Sequence, residues 1–188
     1  MNLIIFGPPG AGKGTQSKFI AENFKLFQLS TGEFLRKEIK ENTEIGKKIS
    51  SIINSGSLVS DIIVSDLIEK IISNKKYHNR IIFDGYPRSL AQAKNLDNLL
   101  NKNNQKIDIV LKLSVSLETV KKRITERRAL EKRPDDNEQI AIRRYETYEK
   151  STEPVIEYYK KMNLLKVVDG ERSIDQINKE ISDIIALI

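Results

Sequence analysis

The sequence predicts an α/β protein, a doubly wound sheet of five parallel strands with helices on both faces, and three observations carry that reading. Short β-rich runs alternate along the chain with longer segments of 3.6-residue apolar spacing. The strand-like runs are nearly continuous in apolar character, as strands covered on both faces require. A glycine-rich turn joins the first strand to the first helix directly, the connection that opens many doubly wound folds.

Composition narrows the field before any motif is read. A chain of 188 residues, 39% hydrophobic and 31% charged, is one globular domain rather than a disordered tail. The longest apolar runs fall far short of the roughly 18 residues needed to span a bilayer, so no membrane partner is expected. The N-terminus lacks a basic, cleavable leader, and a cytoplasmic location is expected. Cysteine is absent, which removes disulfides and thiol-based zinc sites. The single histidine, His78, sits in a polar Lys75-Lys76-Tyr77-His78-Asn79 stretch and reads as a solvated turn. A net charge of +6 fits either nucleic acid or a pocket for polyanionic small molecules.

In chain order, residues 2–6 form the first strand, and Gly7-Pro8-Pro9-Gly10-Ala11-Gly12-Lys13-Gly14-Thr15 leads from it into a helix over 14–24. This is the G-x-x-x-x-G-K phosphate-binding loop in the context it requires. Glycines let backbone N–H groups close around phosphate oxygens, the helix start adds partial positive charge, and Lys13 supplies an ammonium. Gly14 replaces the usual hydroxyl after the lysine, so Thr15 becomes the candidate beside magnesium. A second strand at 26–29 is followed by helices at 32–40, 44–54 and 61–73, more than one crossover needs. A helical flap standing off the sheet is expected there.

The third strand, 80–83, runs into Asp84-Gly85-Tyr86-Pro87-Arg88. An aspartate at a strand's C-terminal edge beside a phosphate loop holds magnesium, directly or through water. A helix at 90–100, a strand at 107–113 and a helix at 117–128 follow, the last carrying Arg123 and Arg127 on one face. A polar connector at 129–135 then joins a long helix over 138–159, which Pro154 is expected to break near Ser151 or Thr152. Asp136 and Gln139 read as a capping box for that helix. A strand at 164–168 and a helix at 174–187 complete the chain.

Several of these motifs together resemble the adenylate kinase family. They are Gly7–Thr15 with Gln16, Leu29-Ser30-Thr31-Gly32-Glu33-Phe34-Leu35-Arg36, Gly56-Ser57-Leu58-Val59-Ser60-Asp61, Asp84 to Arg88 with Gln92-Ala93, and Arg133-Pro134-Asp135-Asp136 with Arg144. The resemblance spans the chain and implies reversible, magnesium-dependent transfer of phosphate from ATP to AMP by a monomer. It implies that Gly10, Ala11, Gly12, Lys13, Gly14, Thr15, Arg123, Arg127 and Arg172 bind ATP. It places AMP on Thr31, Arg36, Ser57, Leu58, Val59, Gly85, Arg88, Gln92, Arg133 and Arg144. Lys13, Arg88, Arg123, Arg133 and Arg144 would be catalytic, with Asp84 and Thr15 near magnesium. By the same resemblance the core is 1–30, 60–126 and 137–188, the AMP flap 31–59 and the ATP lid 127–136. This short lid has neither the length nor the cysteines of the zinc-binding long-lid form. Asp135 and Asp136 would also contact lid arginines.

A UMP/CMP kinase shares the phosphate loop and Asp-Gly-x-Pro-Arg; Thr31 and Gln92 favour adenine, since pyrimidine relatives usually carry alanine where Thr31 stands. A nucleic-acid module would need a continuous basic stripe with interleaved aromatics, whereas the lysines here come as scattered pairs among acids.

Overall fold

The computed structural model describes residues 1–55, 57–131 and 136–188, with side chains through 130 in the second stretch. Five parallel strands are ordered β2-β3-β1-β4-β5, where β1 is Leu3–Phe6, β2 Phe27–Ser30, β3 Ile81–Asp84, β4 Ile109–Ser114 and β5 Leu165–Asp169. The central strand β1 aligns Leu3 with Ile82 of β3 on one side and with Ile109 of β4 on the other. The chain therefore leaves β1 between two strands wound in opposite directions, where α/β sheets open a ligand crevice.

The pleat divides the core in two. Ile4, Phe6, Ile81 and Phe83 face one side with Leu35, Ile49, Ile68, Leu96 and Tyr159; Leu3, Ile5 and Ile82 face the other with Ile20, Val120, Ile124 and Ile181. Eight α-helices among the described residues supply these partners: α1 Lys13–Phe24, α2 Thr31–Lys40, α3 Glu44–Asn54, α4 Asp61–Ile72, α5 Leu90–Lys102, α6 Leu117–Glu131, α7 Glu138–Lys161 and α8 Ile174–Ile185. Side-chain oxygens cap most of their N-termini, including Ser30 accepting from Glu33, Thr43 from Gly46 and Ser89 from Gln92. Gly46 is required by close approach, since a Cβ there would lie 2.1 Å from the Glu38 carbonyl oxygen of the neighbouring helix α2. The pair α2 and α3 is thereby locked as a hairpin.

The structure corrects four sequence expectations. The edge strand β5 is not covered on both faces: Lys166, Val167 and Asp169 are exposed, because at the sheet's edge the flanking helices leave part of each face open to solvent. The break at Pro154 does not occur. Pro154 and Lys150 both face solvent, while Thr152, Val155, Ile156 and Tyr159 form a continuous buried face that carries α7 past the missing N–H. Ser151 opens no new helix; its hydroxyl donates to the Thr147 carbonyl at 2.7 Å. The connector is shorter than expected, since Ala129-Leu130-Glu131, good helix formers, extend α6. Finally, Asn137 and not Asp136 caps α7, accepting from the Ile140 N–H at 2.9 Å. Gly56, Arg133 and Asp135, all named from the sequence, lie outside the described residues. Among the described residues no helix is long and apolar enough to cross a membrane.

Candidate functional site

At the C-terminal edge of the sheet, β1 ends at Phe6 and the chain turns through Gly7–Gly12 into α1. Gly10 and Gly12 hold φ of +78° and +94°, left-handed conformations that a side chain would strain. A Cβ on Gly10 would also stand 3.2 Å from Ile124 of α6. The loop is folded back on itself by the Ala11 N–H donating to the Pro8 carbonyl at 3.1 Å. Within this turn the Lys13 Nζ donates to the carbonyl oxygens of Gly7 and Pro8, at 2.6 and 2.9 Å. Desolvation lowers the Lys13 pKa to about 7; Asp84 opposes the shift, and Arg88, Arg144 and Arg127 reinforce it.

Arg123 of α6 braces the same turn from behind, donating to Gly170 O at 2.8 Å and Ala11 O at 3.5 Å. The Gly170 N–H in turn donates to Ser114 O at the end of β4. Arg172 is engaged with Asp169 and Glu180, on the far side of that loop. Thr15 is exposed on α1.

Asp84 closes β3, in register with Ile5 of β1 and Ser30 of β2. Its side chain is buried, and Oδ2 accepts from Gln28 Nε2 at 3.3 Å. The following residue, Gly85, has φ +80°, and its carbonyl accepts from both Thr31 Oγ1 at 3.0 Å and Arg88 Nε at 2.7 Å. A Cβ on Gly85 would meet Thr31 Oγ1 at 3.0 Å and Arg88 at 3.1 Å, so only glycine lets these side chains share one carbonyl. Burial pushes the Arg88 guanidinium down from its usual range, with Asp84 holding it up and Arg36 pressing it further down.

One cavity gathers the described residues that the resemblance assigned to AMP, together with Lys13 of the phosphate loop. Lys13, Thr31, Arg36, Ser57, Leu58, Val59, Gly85, Arg88, Gln92 and Arg144 all line it. Gly10, Ala11, Gly12, Gly14, Thr15, Arg123, Arg127 and Arg172 are not among its lining residues.

Two arginines are joined by Asp136, which the resemblance implied would contact lid arginines. Asp136 is fully buried, and Arg127 engages both of its oxygens, with Nε to Oδ2 at 2.6 Å. Arg144 of α7 reaches the same carboxylate at 3.7 Å. Of the two roles expected for Asp136, the contact with arginine is present and the cap is taken by Asn137. Missed from the sequence were Thr147, Tyr148 and Ser151, which line the cavity beside Arg144. Their spacing of three, four and seven residues from Arg144 places them on one helix face, which is the signal that could have found them. The Tyr148 hydroxyl is buried with no partner among the described residues, and burial pushes its pKa up.

Comparison with known proteins agrees over the whole chain. The family model described as "Adenylate kinase" matches residues 5–164. A protein named adenylate kinase from Pelagibacter ubique is 44% identical, the alignment covering 98% of this chain and 99% of that protein. One of the same name from Archaeoglobus fulgidus is 39% identical over 100% of this chain and 99% of its own length. A third, from Caulobacter sp. (strain K31), is 40% identical over 188 residues and the full length of both.

Proposed function

Because this chain belongs to the adenylate kinase family and is a phosphotransferase, we propose that it moves the terminal phosphoryl group of magnesium-bound ATP reversibly to AMP, giving two ADP. One observation carries the proposal: Lys13 of the phosphate loop borders the same cavity as Thr31, Arg88, Gln92 and Arg144. A donor phosphate on the loop and an acceptor phosphate on the arginines would therefore meet within one enclosure.

The chemistry follows from charge. Magnesium–ATP and AMP bring together about −4 of net charge, so the barrier is met by positioning and fixed cations rather than by covalent catalysis. Lys13 acts on the transferring group, while Arg88 and Arg144 neutralise the acceptor side. Arg123 supports the donor loop through Ala11 and Gly170, and Asp136 aims Arg127 and Arg144. The acceptor is a phosphate oxygen already ionised near neutral pH, so no general base is needed. That accounts for a kinase whose only histidine is exposed on a distant turn.

Magnesium fits the residues present. The ion takes one or two protein carboxylates and completes its shell with phosphates and water, and Asp84 is a buried carboxylate at the strand end beside the loop. Bound there with ATP, it would neutralise the developing phosphate charge. The reading assigns 31–59 as the acceptor flap, 127–136 as a short lid containing Arg133, and the remainder as core. It extends to a cytoplasmic monomer without a nucleic-acid partner and without structural zinc, since the chain has no cysteine.

The test mixes the protein with magnesium–ATP and each nucleoside monophosphate in turn and measures diphosphate formation. AMP is expected to be the preferred acceptor, and preference for CMP or UMP would replace this reading with a pyrimidine kinase.

A further inference from the structure

Gln92 carries hydrogen bonds of known polarity at both ends of its amide. Its Oε1 accepts from the Arg88 backbone N–H at 2.6 Å, and its Nε2 donates to Asp61 Oδ1 in the first turn of α4. A backbone N–H can only donate and an ionised carboxylate can only accept. Reversing the amide would set N–H against N–H and oxygen against oxygen, so these two partners fix its orientation. Gln92 is buried, and its own backbone is held by Ser89 Oγ and the Tyr86 hydroxyl. An amide has two N–H donors and two oxygen lone pairs. With one of each engaged, one donor and one acceptor remain on a side chain that lines the cavity.

We propose that Asp61 is a positioning residue for base recognition, holding the Gln92 amide in the one orientation that suits a 6-amino purine and rejects a 6-oxo purine. This rests on the reading of AMP as acceptor given above. The two purine classes have the same size and opposite polarity at one edge: a 6-amino group donates beside an accepting N1, whereas a 6-oxo group accepts beside a donating N1–H. A locked amide matches one edge and meets like with like on the other. An amide free to turn over would serve both. Asp61 is suited to this task by its place in the chain, directly after the cavity-lining segment 57–59 and 31 residues from Gln92. The lock therefore ties the end of the flap to the helix that reads the base. A carboxylate in the first turn of a helix also favours the helix dipole. That alternative role acts on stability and does not pass through Gln92.

Steady-state kinetics with AMP and with IMP, at saturating magnesium–ATP, separate the two roles. Asp61→Ala is expected to raise KM for AMP by about 5- to 10-fold, and to narrow the AMP-over-IMP ratio of kcat/KM by a similar factor. The kcat with AMP and the KM for ATP should move less than about twofold, because no contact with the transferring group is lost. Asp61→Asn keeps an accepting oxygen and should recover most of the AMP-over-IMP ratio. In a Gln92→Ala background, adding Asp61→Ala should change nothing further, as expected of residues acting through one another. Thermal unfolding of every variant accompanies the kinetics, and Asp61→Ser, too short to reach Gln92, replaces Asp61→Ala if the latter folds poorly. An unchanged AMP-over-IMP ratio in Asp61→Ala, with Gln92→Ala impaired, overturns the positioning role alone. So does an equal loss on adding Asp61→Ala to the Gln92→Ala protein. A wild type that prefers CMP or UMP, or a Gln92→Ala variant with unaltered KM for AMP, overturns the acceptor reading and the positioning role together.

Discussion

Under the proposed function, the donor and acceptor halves of the site are made of different material. The donor half is backbone: Gly10 and Gly12 at positive φ, the Gly7 and Pro8 carbonyls gripping Lys13, and Arg123 bracing Ala11 and Gly170 through their carbonyls. The acceptor half is side chains from separate elements, with Thr31 from α2, Arg88 after β3 and Gln92 from α5 converging on Gly85 and Asp61. Backbone recognition suits a phosphate chain, which offers the same oxygens whatever base it carries. Side-chain recognition suits a base edge, where the pattern of donors and acceptors decides the substrate. On that proposal, affinity for phosphate and choice of nucleotide are set by separable parts of the site.

The largest expected effect would confine itself to transfer. Lys13→Ala should lower kcat by about 100-fold or more while leaving the unfolding midpoint close to wild type, because its ammonium acts on charge that moves in the transition state. A variant with near-normal kcat would remove the loop lysine from the mechanism and leave the donor half a binding platform only.

Asp136 stands where the halves meet, since it holds Arg127 of α6 and Arg144, which lines the acceptor cavity. Asp136→Asn should cost about 1.5–3 kcal/mol of stability in denaturant unfolding, as two guanidinium groups lose a buried charged acceptor. Its kcat should fall with no more than a small change in KM for AMP. Unchanged stability would show that the arginines find other partners and that the halves are not joined through this carboxylate.

Gly85→Ala probes the acceptor half by itself. The positive φ and the contacts with Thr31 and Arg88 predict a loss of about 1–2 kcal/mol of stability. KM for AMP should rise and KM for ATP should stay put. A matching rise in both constants would mean that the two halves are mechanically one.

The smallest effect is one of pH. Lys13 has a pKa of about 7 in the free protein, and a bound phosphate would raise it by stabilising the charged form. Binding then takes up a proton, so affinity for a non-hydrolysable ATP analogue should fall gradually as pH rises above about 7. Titration calorimetry in buffers of different ionisation heat should show the uptake, and Lys13→Met should abolish it. The stability of the free protein should move the other way. Between pH 7 and the ordinary lysine range the unfolded chain binds more protons than the folded one, so that contribution to stability increases with pH. Affinity for AMP is expected to change less than affinity for the ATP analogue over the same window.

Whatever is local in this protein is legible from the chain alone. The glycine-rich loop is legible because its residue spacing is a pattern within a single turn, and the parallel sheet is legible because buried strands and amphipathic helices repeat at their own periods. Whatever depends on distant partners emerges only when the chain is folded. By its neighbours Asp136 reads as a cap paired with Gln139, whereas in the fold Asn137 takes the cap and Arg127 and Arg144 make Asp136 a buried anchor. Pro154 should break a helix by its own chemistry, yet the buried face of Thr152, Val155, Ile156 and Tyr159 holds α7 together across it. Asp61 reads as an ordinary first-turn acid until folding brings Gln92 to it from 31 residues away. Hydrogen-bond polarity and burial are properties of pairs, and a pair separated along the chain has no signature in either member's neighbours.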